Sequence, residues 1–403
     1  MMQPFTFHTP TKISFGEDTA GGVGDFLYDF GATRPILITD ANLVKAGVLA
    51  PILEALHSAG YSDPVIFDAV PSDSDLTCVR NAAKLAREGK CDSIIAVGGG
   101  SVMDTGKVAN IGLSLDGDVL EFEGMNTLAG KLMPLIAIPT TAGTGSEVSA
   151  VAMIKNHEEH KKLLFGSRYL FPDVAVLDPK LLLSLPPRLT AATGLDALTH
   201  AIESYTAMTK NAPSDGLCLE SMRLLMANLP RATKHGDDVE ARSATLVGSM
   251  MAGVSFTNAG VGIVHALAHS FGAKYGTHHG ITNAVFLPHG MRFNLQEVDD
   301  KFRSAYMYLS TSLRPDDKPA VGWFSPPTNK TEFDNAGNSL IVAVEQLIAE
   351  CGLPKKLSEI GVPKLTDGDI EELAEMSQND PAIMFNARPA SIEDLAEIIR
   401  GAY

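Results

Sequence analysis

Asp196 and His200 stand four residues apart in "TGLDALTHAIESY". On a helix this spacing places both side chains on one face, about 5–6 Å apart at their Cβ atoms. Further along, His265 lies in "VGIVHALAHSFGAKYGTHHG" and His279 in a glycine-flanked turn just beyond that helix. A carboxylate in a helical core is costly unless it is paired or bound to a metal, and neutral imidazoles are the commonest metal donors. One carboxylate and three imidazoles, with coordination positions left open, suit Fe²⁺ or Zn²⁺ serving as a Lewis acid; donor type alone does not choose between them. Spacing leaves other assignments open. His265 and His269 are themselves at i and i+4, His278 adjoins His279, and His289 in "FLPHG" fits a strand end or a cap.

A second chemistry-bearing stretch is "AVGGGSVMDTGK", where Gly98, Gly99, Gly100 and Ser101 join an apolar strand to a helix. Without Cβ atoms the backbone can approach a diphosphate closely, and the free N–H groups and dipole of the helix start favour an anion. The spacing is not GxGxxG, so the standard dinucleotide fingerprint is absent. Asp40 closes another apolar run, "ILITD". A carboxylate there can accept both ribose hydroxyls of an adenosine and repel a 2′-phosphate, which favours NAD over NADP, although a helix N-cap has the same appearance. "IPTTAGTGSEV" adds the hydroxyls of Thr140, Thr141, Thr144 and Ser146 after a further strand.

The elements that must position these groups change character along the chain. Residues 35–40, 64–70, 93–100, 134–141 and 174–178 are apolar, mostly β-branched runs bounded by Gly, Pro, Asp or Thr, which marks buried strands. Helical stretches separate them. This is the pattern of an α/β domain with a mostly parallel sheet covered on both faces. After about Ser184 the pattern turns helical, with candidate helices at 189–207, 214–228, 238–256, 261–274, 338–351, 367–376 and 391–402. The expected division is therefore a dinucleotide-binding domain over 1–184 and an all-α domain over 185–403. Residues 312–337, proline-rich and without periodicity, read as a long loop.

At 403 residues the chain is too long for a single ordinary core. A formal charge of -16 repels phosphate backbones, which argues against nucleic acid or an anionic membrane as partner. Cys78, Cys91, Cys218 and Cys351 lack CxxC spacing and read as structural thiols of a reducing compartment. The N-terminus lacks a signal-peptide core and no run of 18 uncharged apolar residues occurs, so a cytoplasmic protein is expected.

Together, "GGGSVMDTGK", "IPTTAGTGSEVS", "LPPRLTAATGLDALTHAIESY" and "GIVHALAHSFGAKYGTHHGITNAVFLPH" resemble the motifs of the iron-containing, or group III, alcohol dehydrogenases. The resemblance extends from "KISFG" to the C-terminus. It implies an architecture like that of dehydroquinate synthase, a dinucleotide domain followed by a helical one, with metal and cofactor in the cleft. It implies metal ligation by Asp196, His200, His265 and His279, with His269 in the active site but off the metal. Asp40, Gly98, Gly99, Gly100, Ser101, Asp104, Thr140, Thr141, Thr144, Ser146 and Lys162 fall on NAD contacts, with Lys161 one step from the last of these. Many members have proline where this chain has His278, which sets a second imidazole beside the site.

The implied reaction is hydride transfer between the carbinol carbon of a small primary alcohol or diol and nicotinamide C4, with the cation acidifying the alcohol and His269 a route for the proton. Phe256, Asn258 and the 312–337 loop are the expected pocket wall. The resemblance also implies a homodimer, with the N-terminal strands as one way to pair. Rival readings on the same fold are a maleylacetate-reductase-like enzyme or a dehydroquinate-synthase-like lyase; a non-catalytic nucleotide or metal sensor is a more distant alternative.

Overall fold

The computed structural model describes residues 4–159, 161–315, 317 and 319–403. They form two compact units, Thr9–Leu185 and, in the other, residues 4–8 with Pro186–Tyr403.

The first unit holds a six-stranded, all-parallel sheet. Its strands are β1 (Lys12–Phe15), β2 (Pro35–Ile38), β3 (Val65–Phe67), β4 (Ser93–Gly98), β6 (Leu135–Pro139) and β9 (Val174–Leu177), in the order β1-β9-β6-β4-β2-β3. Every residue of β2, β4, β6 and β9 is buried, which is why these strands read as unbroken apolar runs. The chain passes outward from β2 to β3 on one side of the sheet and from β4 to β6 and β9 on the other, where the N-terminal β1 forms the edge. The order therefore reverses between β2 and β4, and the crevice at their carboxyl ends is where such sheets take ligands.

A small second sheet, β5 (Gly124–Met125), β7 (Val151–Asn156) and β8 (Lys161–Gly166), in the order β5-β8-β7, was not expected from the sequence. The β7–β8 pair is antiparallel, and β7 alternates half-buried and buried positions with the period of two that marks such a strand. The expected strands over 35–40 and 64–70 are shorter than read, because Thr39 and Asp40 lie beyond the end of β2 and β3 keeps three residues. β1 pairs with β9 through Lys12↔Val174 to Phe15↔Leu177, so the N-terminal strand takes up one edge within its own chain.

The second unit is helical, with principal helices Pro187–Thr206, Ala212–Lys234, Val239–Ala259, Ile263–Tyr275, His279–Ser312, Ala336–Glu350, Asp367–Gln378 and Ile392–Ala402. The helix His279–Ser312 is absent from the helices expected from the sequence, where His289 in "FLPHG" fitted a strand end or a cap. It keeps Pro288 inside and kinks at Val298, whose φ and ψ are −124° and 24°. His279 consequently opens a helix, with His278 as its N-cap residue, and does not sit in a turn. The 312–337 stretch carries a 3₁₀ turn at Ala320–Gly322 and a short helix at Lys330–Asp334; Asp316 and Lys318 lie outside the described residues.

Two glycines let the site-bearing helices approach at backbone distance. A Cβ at Gly280 would lie 2.3 Å from the carbonyl oxygen of Ala192, so His279–Ser312 closes directly on Pro187–Thr206. One at Gly290 would lie 2.5 Å from Val264 Cγ2, on Ile263–Tyr275. All four cysteines are free and buried, and burial pushes the Cys218 and Cys351 thiols up to about 12, in keeping with inert structural thiols. Among the described residues no single helix is long and apolar enough to cross a membrane.

Candidate metal and nucleotide sites

Three helices of the second unit supply the converging donors. Asp196 and His200 come from Pro187–Thr206, His265 from Ile263–Tyr275, and His279 from the first turn of His279–Ser312. Asp196 Oδ1 lies 3.3 Å from His279 Nε2 and 3.8 Å from His265 Nε2. One ligand atom from each of these three residues falls within 4.8 Å of the others, a group that can hold a metal ion. His200 is outside that tight group. Its ring stacks on His265 with centroids 4.5 Å apart and on Phe256 at 4.5 Å, and its Nδ1 is buried without a hydrogen-bond partner.

Protonation states suit a divalent cation. Burial pushes His200 down to about 3 and His265 well below its ordinary value, so both imidazoles keep free lone pairs at neutral pH. Burial also disfavours the charge on Asp196, yet the facing His200, His279 and His265 outweigh it and hold the carboxyl well below the usual range.

Asn283, one helical turn after His279 and wholly buried, points its amide nitrogen at this cluster. Nδ2 donates to Asp196 Oδ1 at 2.7 Å and lies 3.1 Å from His279 Nε2 and 3.3 Å from His265 Nε2. Three potential ligand atoms therefore crowd around the two protons of one amide nitrogen, as donors gathered for a cation do. With the unpartnered His200 Nδ1 beside it, the cluster leaves buried polar atoms that a bound cation could satisfy.

In the first unit, Gly98 and Pro139 pair across β4 and β6, so the loops that follow leave the sheet side by side. The helix Gly100–Ser114 starts without any side-chain cap; the Val102 and Met103 N–H groups donate to Gly99 O, at 3.1 and 3.0 Å. Glycine is required by close contact. A Cβ at Gly98 would meet Val102 at 2.5 Å, and one at Gly100 would meet Thr144 at 2.7 Å. Gly99, Gly100, Ser101, Asp104, Thr141 and Thr144 are half-buried, whereas Gly98, Thr140 and Ser146 are buried. Ser146 donates its hydroxyl to Asp104, at 2.8 Å, and so has no proton left for a cofactor. Ser101 donates to Ser72 O at 2.7 Å. Asp40 flanks the same crevice from the end of β2, where its Oδ1 caps the helix Ala41–Lys45 through Asn42 and Leu43. Lys162 pairs with Asp73 at 3.0 Å, and Lys161 with Glu159 at 2.8 Å.

Comparison with known proteins agrees with both halves of this geometry. The family model described as iron-containing alcohol dehydrogenase matches residues 10–179, and that of the family's C-terminal part matches residues 190–403. The chain belongs to the iron-containing alcohol dehydrogenase family. It is 34% identical over 401 residues to the 1,3-propanediol dehydrogenase of Citrobacter freundii, covering 99% of each chain. It is 33% identical over 396 residues to the NAD-dependent methanol dehydrogenase of Bacillus methanolicus, covering 98% of this chain and 99% of the other. A crystal structure of 1,3-propanediol oxidoreductase superposes with a TM-score of 0.91 at 34% identity, covering 100% of both chains. The chain is thus an oxidoreductase of a family that acts on alcohols and aldehydes, and the lyase and sensor readings lose their support.

Several groups around the dehydrogenase's candidate metal donors had gone unread in the sequence. Glu203 accepts from His265 Nδ1 at 2.6 Å and from the Val264 N–H at 2.7 Å, which leaves His265 Nε2 facing Asp196. It sits three residues after His200 on the same helical face, a second buried carboxylate that the spacing could have flagged. Asp380 likewise holds His269 Nδ1 at 2.9 Å, and the His269 ring stacks on His279 with centroids 5.2 Å apart. Asn258, expected in the pocket wall, uses its amide to bracket the backbone of His8, accepting from its N–H at 2.7 Å and donating to its carbonyl at 3.0 Å.

Replacing Glu203 by Gln is expected to weaken divalent-metal affinity about 10–100-fold, the usual effect of losing a carboxylate behind a histidine ligand. Calorimetric titration of the metal-free variant measures it, and an unchanged affinity would show that the His265 orientation does not depend on the carboxylate.

Proposed function

We propose that this dehydrogenase interconverts short primary alcohols or diols and their aldehydes, using NAD(H) and a divalent cation held by Asp196, His200, His265 and His279. The observation that carries the reading is the convergence of Asp196, His265 and His279 around one point, with His200 stacked beside them. When bound, the cation, Fe²⁺ by family membership or Zn²⁺ by donor chemistry, supplies a Lewis acid that acidifies an alcohol or polarises a carbonyl.

The residues divide the remaining work. Glu203 fixes the His265 ring through Nδ1, and Asn283 fixes the Asp196 carboxylate. His269, oriented by Asp380 and lying against His279, is the proposed path for the alcohol proton. Phe256, stacked on His200, is the proposed apolar wall beside the reacting carbon. The diphosphate of NAD is assigned to Gly98–Ser101, with Asp104, Thr140, Thr141 and Thr144 around it and Lys162 nearby. Asp40 Oδ2, which the helix cap leaves free, is assigned to the adenosine ribose and so to NAD over NADP. Nicotinamide, when bound, accepts or gives the hydride.

The names of the 1,3-propanediol and methanol relatives support a small substrate. We further assign the protein to the cytoplasm, from its composition, and to a homodimer, supported by the exposed Ile13 and Phe15 on the edge strand β1.

The test is NADH and NADPH oxidation with a panel of short aldehydes, using protein loaded anaerobically with Fe²⁺ or Zn²⁺. Metal-dependent turnover that prefers NADH and short aldehydes is the expected result. Metal-independent turnover, or tight NADH binding without turnover of any aldehyde, would overturn it.

A further inference from the structure

Lys107 lies seven residues into the helix that starts at the glycine loop, and it is completely buried. With Gly100 and Asp104 it forms one stripe along that helix, at the i, i+4, i+7 spacing of a single face. Each member of the stripe meets the segment that runs on from Thr140. Gly100 lies against Thr144. Asp104 accepts from Ser146 Oγ at 2.8 Å and from the Met153 N–H at 2.9 Å. Lys107 Nζ donates to Ser146 Oγ at 2.9 Å, Ser149 Oγ at 3.0 Å and Val151 O at 2.9 Å, so all three ammonium protons have acceptors. Glu147, also buried, faces the same ammonium.

A buried charge cluster of this kind contributes little net stability compared with apolar side chains of the same volume. Methionine would fill the space of Lys107 without desolvating an ammonium. What methionine cannot do is fix three acceptors, at positions 146, 149 and 151, in one arrangement. Burial pulls Lys107 down to about 8, while Asp104 and Glu147 oppose the shift, so the ammonium is retained at neutral pH.

We propose that Lys107 is a positioning residue for the nucleotide: it locks the 144–151 segment onto the glycine-loop helix, so that Thr141 and Thr144 stand in register with Gly99–Ser101. The proposal rests on the reading that these two loops bind NAD(H). Ser146 then acts as the link between Asp104 and Lys107 and makes no direct cofactor contact.

The experiment compares wild type, Lys107→Met and Ser149→Ala for binding of NADH and of AMP, which ends at its first phosphate and does not need both loops in register. Metal content and thermal unfolding are recorded alongside. Lys107→Met is expected to keep its metal and to weaken NADH binding at least about 10-fold, equivalent to about 1.4 kcal/mol. Its AMP affinity is expected to change by less than about 2-fold. Ser149→Ala removes one acceptor and no charge, so it remains informative if Lys107→Met fails to fold; its NADH affinity is expected to fall about 3-fold with AMP unchanged. Unaltered NADH affinity in a folded variant, or parallel loss of NADH and AMP, would overturn the proposal. Wild-type protein that binds no NADH would overturn the cofactor assignment itself, a result distinguishable from failure of Lys107 alone.

Discussion

Asp196→Ala is expected to leave a folded protein that retains no divalent metal and has no measurable aldehyde reduction. Asp196 supplies the only anionic donor in the cluster, and its Oδ1 is the atom both His265 and His279 face. Losing a ligand should exceed the about 10–100-fold cost of losing an outer partner of a ligand. Folding should survive because burial already keeps His200 and His265 neutral, so removing the carboxylate strands no buried cation. Metal analysis of the purified variant, together with its turnover, checks the expectation. Full metal content with wild-type turnover would place the cation elsewhere.

The second large effect is expected from Gly280→Ala, a substitution of a residue with no side-chain chemistry. Its methyl would stand 2.3 Å from Ala192 O and 2.9 Å from Ala192 C, both backbone atoms that no rotamer change can move. The helix His279–Ser312 must then retreat from Pro187–Thr206. That draws His279 and Asn283 away from Asp196, which they now approach at 3.3 Å and 2.7 Å. Overpacking of this kind costs about 1–3 kcal/mol in stability. A displacement of about 1 Å at a reacting site costs about 100-fold in rate. The variant should therefore melt earlier, bind metal more weakly and lose about 100-fold in kcat. A stable variant with unchanged metal affinity would show that the helix contact does not set the ligand geometry.

These two predictions also mark what the sequence could and could not disclose. Asp196 and His200 were visible because a helix places i and i+4 on one face, and the buried strands because a doubly covered sheet admits few polar residues. The partners of the site were hidden by chain separation. Glu203 lies 62 residues from His265, Asn283 lies 87 from Asp196, and Asp380 lies 111 from His269, distances over which spacing carries no geometric information. His279 was assigned to a turn because it is flanked by Gly276 and Gly280, whereas packing of that segment against two other helices overrode the local preference. Ser146 looked like a free hydroxyl among small residues; only its position between Asp104 and Lys107 shows that its proton is already committed. The β7–β8 hairpin was not legible because β7, VAMIKN, shows its period of two only in burial and not as alternating apolar and polar residues, and β8, KKLLFG, opens on two lysines.

The most direct test of the account is an anaerobic titration of metal-stripped enzyme with Fe²⁺, following bound metal and NADH-dependent reduction of a short hydroxyaldehyde in the same samples. The account predicts that activity rises in proportion to bound metal, saturates at one equivalent per chain and disappears again on chelation. Full activity in the stripped enzyme, or saturation with metal without any gain in activity, would contradict it.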